Sequence, residues 1–475
     1  MIKLKTLSQY TSLIAVGVIV NIGYLFASQE AVWRRHEQRC NGDLTCMQEV
    51  IDKSMPIPTQ RIPWDMESLF KQLQKVGRFQ QLGLTEEEGR KLVSYALDKL
   101  VLDQNPAKKQ RSELDRDKGF YRLLQAMNKG RADSGGDEEP ESEEELVDYQ
   151  AKAEFQNLDA VLMRWPFDWA SLRDEWAAMV DGMSRANVEV WMWVDRNDQI
   201  QQITKYLERL GVSTEHINWF VEPTNSIWMR DYGPHFIYDN SSDDWGLVDF
   251  HYYDSRPDDD DTPIFVSEYH GVSLVDRQTE DVVYTEGGNI AHDSLGTVFY
   301  SERTYDRNPD VEEAIIDDRI LTAFQSHANI VLKDPQLDAT GHIDMFMKLV
   351  NENTIIVGQY DQDEIDYQVL EDNVAILENT TNGAGEAWNV IRIRQPDAYY
   401  DAFVFPVVRT YTNSLLVNNV ILLPVYGIDD DIEAIQTYEM AFPDREILPI
   451  NAESIIRAAG AWHCVTMEFP SVDEY

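Results

Sequence analysis

The chain is expected to be an α/β protein preceded by a mostly helical region. From about residue 150 short apolar runs of strand character alternate with helical stretches. Before about residue 130 only helical periodicity is visible. Between the two lies an acidic run, Arg131 to Glu145, that carries Gly and Pro and no large apolar residue. Such a run cannot build a core and reads as a solvated linker. The boundaries that follow are 1–29 for a signal or anchor, 30–130 for the helical region, 131–149 for the linker and 150–475 for one large α/β or α+β domain.

At the N-terminus no charged residue occurs between Lys5 and Glu30, and Lys3 and Lys5 precede an apolar run from Thr11 to Ala27. This is the layout of a signal peptide or a single membrane anchor through residues 7–28. Arg34, Arg35 and Arg39 flank its far side and leave its orientation open. Cys40 and Cys46 bracket a short loop containing Asn-Gly, a loop able to close as a disulfide. That pairing points to an exported or membrane-anchored location, periplasmic or extracellular. Cys464 then remains as the odd thiol.

In the helical region Thr85 and Glu88 form a capping box, followed by Leu92, Ala96 and Leu100 on one face. In the α/β region Asp159–Trp165 and Val188–Val194 read as strands. Helices are expected over 169–186 and from Asp198 to Leu210. A further helix carries Ile316, Ile320 and Phe324 on one side. Met345–Val350 with Thr354–Gly358, and Ser414–Val417 with Val420–Val425, read as hairpins. The second turns at Asn418-Asn419, a pair that tolerates positive φ.

Apolar residues make up 43% of the 475 and aromatics 11%, enough for a sizeable core. Asp and Glu number 84 against 41 Lys and Arg, a formal charge of −43. A phosphate backbone or an anionic membrane surface would repel such a chain, so no nucleic-acid partner is expected. The acidity suits cationic partners, and equally simple solubility or adaptation to salt. No dinucleotide fingerprint, P-loop or HExxH occurs, and the nine histidines show no paired metal spacing. Neither a metal nor an organic cofactor is expected.

Five clusters carry chemistry. In Trp228-Met-Arg-Asp-Tyr-Gly-Pro234, Asp231 lies between an aromatic residue and a Gly-Pro turn, as a shaped-loop carboxylate or a plain turn aspartate. In Glu286-Gly-Gly-Asn289 the paired glycines permit close backbone approach, or merely a hairpin. In Gly341-His-Ile-Asp344 an extended backbone would put His342 and Asp344 on one face, a pairing suited to acid–base work. The remaining two are Tyr411-Thr-Asn-Ser414 and Gly460-Ala-Trp-His-Cys464. On a strand His463 would point away from Cys464. A reactive thiol would then need a histidine from elsewhere, and His342 is the candidate. A buried inert cysteine is the alternative.

Taken in order, these clusters resemble the agmatine deiminase and Porphyromonas-type peptidylarginine deiminase family, over roughly residues 150–475. The resemblance implies a pentein fold, a propeller of five ββαβ-like units around a central site. It also implies hydrolysis of a guanidino group to a ureido group plus ammonia. A guanidinium is planar, cationic and rich in donors, so it is held by carboxylates. Asp231 and Asp344 take that role. On this resemblance Cys464 would be the nucleophile, His342 the acid and base, and Asn413 would orient them. The resemblance further implies Trp228 as an aromatic wall, Arg230 beside it as a substrate contact, and Glu286 as a substrate contact or a group behind these.

Phe250-His-Tyr-Tyr-Asp-Ser-Arg-Pro-Asp258 resembles the segment that supplies arginines to a peptide's C-terminal carboxylate. Arg256 matches one of these, while Asp258 stands where a second basic residue is expected. The aromatic–Gly segment with a lysine, typical of agmatine deiminases, is not found. The resemblance thus favours peptidyl-arginine, giving citrulline. Agmatine, giving N-carbamoylputrescine, is the alternative. A third reading is a non-enzymatic surface protein that binds basic ligands on a pentein scaffold. The run Asp258–Asp261 reads as a solvated loop, with attraction of a basic substrate or calcium binding as alternatives. The sequence assigns no oligomeric state.

Overall fold

The computed structural model describes residues 29–54, 66–102, 149–240, 244–277, 283–402 and 404–471. The apolar segment 7–28 and the linker up to residue 148 lie outside the described residues. Among the described residues no helix is long and apolar enough to cross a membrane.

The strands in chain order are β1 (Tyr149–Ala151), β2 (Leu158–Arg164), β3 (Glu189–Val194), β4 (Ile217–Val221), β5 (His235–Asp239), β6 (Asp244–Asp249) and β7 (Ser273–Arg277). Then come β8 (Ala291–His292), β9 (Thr297–Ser301), β10 (Ala328–Leu332), β11 (Met347–Asn351), β12 (Thr354–Gln359) and β13 (Asn389–Arg394). The last are β14 (Tyr399–Asp401), β15 (Phe405–Val407), β16 (Leu415–Val417), β17 (Val420–Val425), β18 (Glu446–Asn451) and β19 (Thr466–Pro470).

Five sheets repeat one pattern. A middle strand runs antiparallel to one neighbour and parallel to the other: β5-β6-β7, β8-β9-β10, β11-β12-β13, β16-β17-β18 and β19-β2-β3. A tight turn cannot join parallel strands, so each parallel pair needs a crossover. Helices supply it, among them Arg173–Arg185, Thr262–His270, Glu313–Ala323, Tyr367–Glu378 and Asp430–Ala441. β1 and β4 extend two of the sheets, and β14 pairs with β15. The last strand completes the sheet of β2, which ties the end of the domain to its beginning. None of these sheets closes on itself.

The expected strands and hairpins form within a residue or two of the sequence reading, and Asn418 takes the positive φ of its turn at 48°. Strands such as β2 and β17 are apolar almost throughout because both faces are covered. Ile316, Ile320 and Phe324 are buried together, as the helical spacing predicts.

The helical region forms Gln29–Cys40, Leu44–Ser54, Met66–Lys75, Arg78–Gln81 and Glu86–Leu102. Cys40 and Cys46 are disulfide-bonded. The capping box is present: Glu88 accepts from the Thr85 N–H at 2.9 Å, and Thr85 Oγ1 accepts from the Glu88 N–H at 3.3 Å. Leu92 and Ala96 are buried, while the Leu100 side chain lies outside the description. These helices share one apolar core with the α/β region, from Trp33 and Met47 to Trp176 and Trp462. The Arg78 guanidinium also stacks 3.8 Å over Tyr400 and pairs with Glu37.

All five chemical clusters occupy corresponding places. Trp228–Asp231 links β4 to β5, Glu286–Asn289 links β7 to β8, and His342–Asp344 links β10 to β11. Asn413 precedes β16 and Cys464 precedes β19. Each cluster is the segment that leaves one repeat and enters the next.

Candidate active site

Asp231 sits on the single helical turn Met229–Tyr232. Gly233 ends that turn, and its N–H donates to the Met229 carbonyl at 2.7 Å. Pro234 cannot continue the helix. The turn is anchored from the Asp258 run. Asp259 is fully buried and accepts from the Asn225 and Ser226 N–H groups at 2.7 and 3.1 Å and from the Ser226 hydroxyl at 2.8 Å. Asp260 accepts from the Tyr252 N–H at 2.7 Å. The run is therefore not the solvated loop expected of it. Its carboxylates clip the Trp228 loop to the Tyr252 loop. Burial pushes the Asp259 carboxyl up to about 7, against the Ser226 hydroxyl and Arg256.

The two glycines after Glu286 explain themselves by what surrounds them. A Cβ on Gly288 would stand 2.6 Å from His342 Nδ1, 3.0 Å from Asp231 Oδ1 and 3.1 Å from Asp344 Oδ2. A Cβ on Gly287 would stand 2.0 Å from the Arg230 carbonyl oxygen. Only glycine allows the backbone this close to three chemical groups at once. Asn289 closes the arrangement, since its Oδ1 accepts from the Ser301 N–H at 3.1 Å and the Ile343 N–H at 3.3 Å.

His342 is not on an extended strand. It caps the short 3-10 turn Ile343–Met345, which carries Asp344. The turn still delivers both side chains to one place. His342 Nε2 lies 2.9 Å from Glu286 Oε2, and its Nδ1 lies 3.6 Å from Asp231 Oδ1. Glu286 also accepts from the Tyr253 hydroxyl at 2.5 Å and pairs with Arg307 at 3.2 Å. Burial pushes the Glu286 carboxyl up, but His342 and then Arg307 outweigh it and hold the carboxyl below its usual range.

Cys464 is fully buried and lies outside any disulfide. Its Sγ stands 3.3 Å from Asp344 Oδ2 and 3.1 Å from Asn413 Nδ2. Asn413 Oδ1 accepts from the Ala461 N–H at 2.9 Å and the Cys464 N–H at 3.3 Å, which clamps the cysteine's turn. Trp228 is fully buried and meets Trp169 edge to face at 6.2 Å. Asp231, Glu286, His342, Asp344, Asn413 and Cys464 are all buried. The arrangement offers carboxylates for a planar cation, a sulfur beside them and a histidine backed by its own carboxylate.

Two substrate-binding candidates are placed otherwise. Arg230 points behind the site, where its guanidinium pairs with Glu468 at 2.5 Å and Glu154 at 3.8 Å. Neighbours on one helical turn point about 100° apart, so Asp231 and Arg230 cannot face the same way. Arg256 donates to the Tyr252 hydroxyl at 2.8 Å and lies over the Tyr252 and Tyr253 rings.

His463 is a correction of another kind. Residues 462–465 are a turn, and β19 begins only at Thr466. His463 Nδ1 lies 2.8 Å from Asp344 Oδ2, the same oxygen that faces Cys464. Its Nε2 lies 2.7 Å from Glu154 Oε1, and Glu154 takes Lys348 at 2.7 Å. Glu154, His463 and Glu468 bring metal-ligating atoms together, but Lys348 and Arg230 already supply positive charge there. Sequence reasoning passed over Glu154, Tyr253, Arg307 and Lys348. Lys348 carried a signal, since a lysine inside an otherwise apolar hairpin strand needs a buried counter-charge.

The family model for the Porphyromonas-type peptidyl-arginine deiminases matches residues 150–470. A Streptococcus mutans protein named as an agmatine deiminase is 26% identical over 364 residues, covering 68% of this chain and 96% of its own. One of the same name from Selenomonas ruminantium is 26% identical over 292 residues, covering 54% of this chain and 78% of its own. The solved agmatine deiminase of Enterococcus faecalis superposes with a TM-score of 0.60 at 20% identity, covering 68% of this chain and 96% of its own. That likeness identifies an α/β fold of the pentein type. The chain belongs to the Porphyromonas-type peptidyl-arginine deiminase family, hydrolases acting on C–N bonds in linear amidines.

Proposed function

We propose that this protein hydrolyses the guanidino group of a small alkylguanidine of the agmatine type to a ureido group and ammonia. The observation that carries this is the convergence of His342, Asp231 and Asp344 on the bare face of Gly288, with Cys464 Sγ 3.3 Å from Asp344. Asp231 and Asp344 accept the guanidinium N–H groups. The bound cation favours the thiolate of Cys464. The sulfur adds to the guanidinium carbon. The C–N bond to the departing nitrogen breaks as His342 gives that nitrogen a proton, leaving an amidino-thioether. His342 then takes a proton from water, and water attacks the same carbon. The ureido product leaves and the thiol is restored. Glu286 holds His342 in place throughout.

The relatives named as agmatine deiminases favour the small substrate. Arg256 and Asp258 point the same way. Arg256 is engaged with Tyr252 and Tyr253, and Asp258 with Asn225, so both positions that would read a peptide carboxylate are committed. Peptidyl-arginine, the leading expectation from the sequence, has less support. The assembled nucleophile, histidine and carboxylates argue against a mere binding protein. The five repeated sheets support a propeller around this site, since each cluster sits where one repeat passes to the next. The Cys40–Cys46 disulfide supports an oxidising location for the helical region.

The test is colorimetric ureido-product formation by the full chain from agmatine, free arginine, a peptide ending in arginine and a peptide with internal arginine. Turnover of agmatine well above both peptides is expected. Turnover of a peptide without agmatine would return the protein to peptidyl-arginine chemistry.

A further inference from the structure

Behind the site lies a buried charge cluster that the reaction above does not use. His463 stands between two carboxylates, Asp344 at 2.8 Å from Nδ1 and Glu154 at 2.7 Å from Nε2. A neutral imidazole has one N–H and one lone pair. A lone pair aimed at a carboxylate oxygen over 2.7 or 2.8 Å would be repulsive in a site this buried. With both carboxyls ionised, both nitrogens satisfy their partners only if both carry protons. Glu468 Oε1 is a third carboxylate oxygen, 3.9 Å from Nε2.

The neighbours agree with a charged ring. Arg230, Lys348 and a protonated His463 set three positive charges against Asp344, Glu154 and Glu468. With a neutral His463 the buried set would carry an uncompensated negative charge, which is costly away from water. Burial pushes the Glu154 carboxyl up, but His463 and Lys348 outweigh it and hold it well below its usual range. Beyond Glu154 a small cavity of about 30 Å³ is lined by Lys152, Arg230, His235, His292 and Glu468. Burial lowers the His235 and His292 values, so those rings are neutral and do not replace the charge.

We infer that His463 is a positioning residue, a fixed imidazolium that keeps Asp344 ionised and aimed at the guanidinium. Glu154 holds the charge on it from behind. His463 touches neither the nucleophile's bond-making nor the leaving group. It acts through Asp344, the carboxylate that must stay charged for a cation to bind. The two histidines of the site then have opposite duties. His342 passes protons, and His463 keeps its own.

The inference rests on the guanidino reading for its kinetic arm only. In the full chain labelled with 15N-histidine, the His463 ring should show two protonated nitrogens at pH 7.5, its signals assigned by their loss in His463→Asn. Asn places an amide N–H where Nδ1 stands, so it keeps the bond to Asp344 and removes the charge. With agmatine, His463→Asn should raise KM about tenfold, lower kcat much less, and move the acid limb of kcat/KM up by about one pH unit. Glu154→Gln should shift the same limb in the same direction by less. A merely structural role predicts a loss that is uniform with pH. A His463 ring with one bare nitrogen at pH 7.5, or a His463→Asn profile that superimposes on wild type after scaling, overturns the inference. If wild type turns over no guanidine, the proposed reaction fails, and the ring spectrum still decides the state of His463.

Discussion

The two sides of Asp344 make an instructive contrast. In front, His342 lies 2.9 Å from Glu286 at one ring nitrogen and 3.6 Å from Asp231 at the other, and Tyr253 and Arg307 hold Glu286 in turn. Behind, His463 is gripped by carboxylates at both ring nitrogens. The front ring turns its Nδ1 towards Asp231, a proposed guanidinium contact, over a longer 3.6 Å. The back ring has no nitrogen to spare. The proton-passing role proposed for His342 goes with one short and one longer carboxylate contact, and the fixed charge inferred for His463 with two short ones.

The contrast breaks first at the sulfur. Cys464→Ala should reduce ureido formation by about a factor of 10⁴ or more, since it removes the sulfur proposed to attack the guanidinium carbon. Loss of the front carboxylate comes next. Glu286→Gln should lower kcat about a hundredfold with little change in KM, because it disturbs a proton carrier rather than a cation's seat. Steady-state kinetics on both variants separate this pattern from the KM effect expected behind Asp344. Glu286 also has a pH signature. Its folded value is depressed, so the stability it contributes is full above the ordinary carboxylate range. That contribution is lost only as pH falls through the lowered value.

A smaller effect belongs to the clip that carries the front loop. The Asp259 carboxyl is raised to about 7 from an ordinary value of 3.8. Its contribution to stability is therefore full below that ordinary value and is lost as pH rises through 7. Asn at this position can still accept from both backbone N–H groups. Relative to Asp259→Asn, wild type should lose about 1 kcal/mol of unfolding free energy per pH unit between pH 5 and 7, read by urea titration. A wild-type stability that tracks the variant across this range would mean the carboxylate is ionised and well solvated by its partners. Smallest for catalysis is the disulfide. Cys40→Ser should cost the helical region about 2 kcal/mol and leave kcat within twofold, as checked by proteolysis and turnover.

The front of the site was legible because each of its residues lies in a contiguous cluster. Asp231, Gly288, His342, Asp344, Asn413 and Cys464 sit in segments that pass from one repeat to the next, where short motifs keep their spacing. The back was not legible because its partners meet only through the fold. Glu154 and His463 are 309 residues apart. Arg230 was misassigned for a local reason, since a single helical turn points it and Asp231 about 100° apart. His463 was set aside on the premise of a strand, but β19 starts later and the turn brings His463 and Cys464 to the same oxygen of Asp344. The acidic run at Asp258 looked solvated because its charges gave no hint that Asn225 and Ser226 would fold back over it. Strands and hairpins were read well, since nearly continuous apolar runs and paired turns mark strands covered on both faces.

The most direct measurement is ureido product from agmatine with the full chain at neutral pH, beside the Cys464→Ala variant. The account predicts steady turnover by wild type, with one ammonia released per ureido group, and none above background by the variant. Equal product from both, or none from either at saturating agmatine, would contradict it.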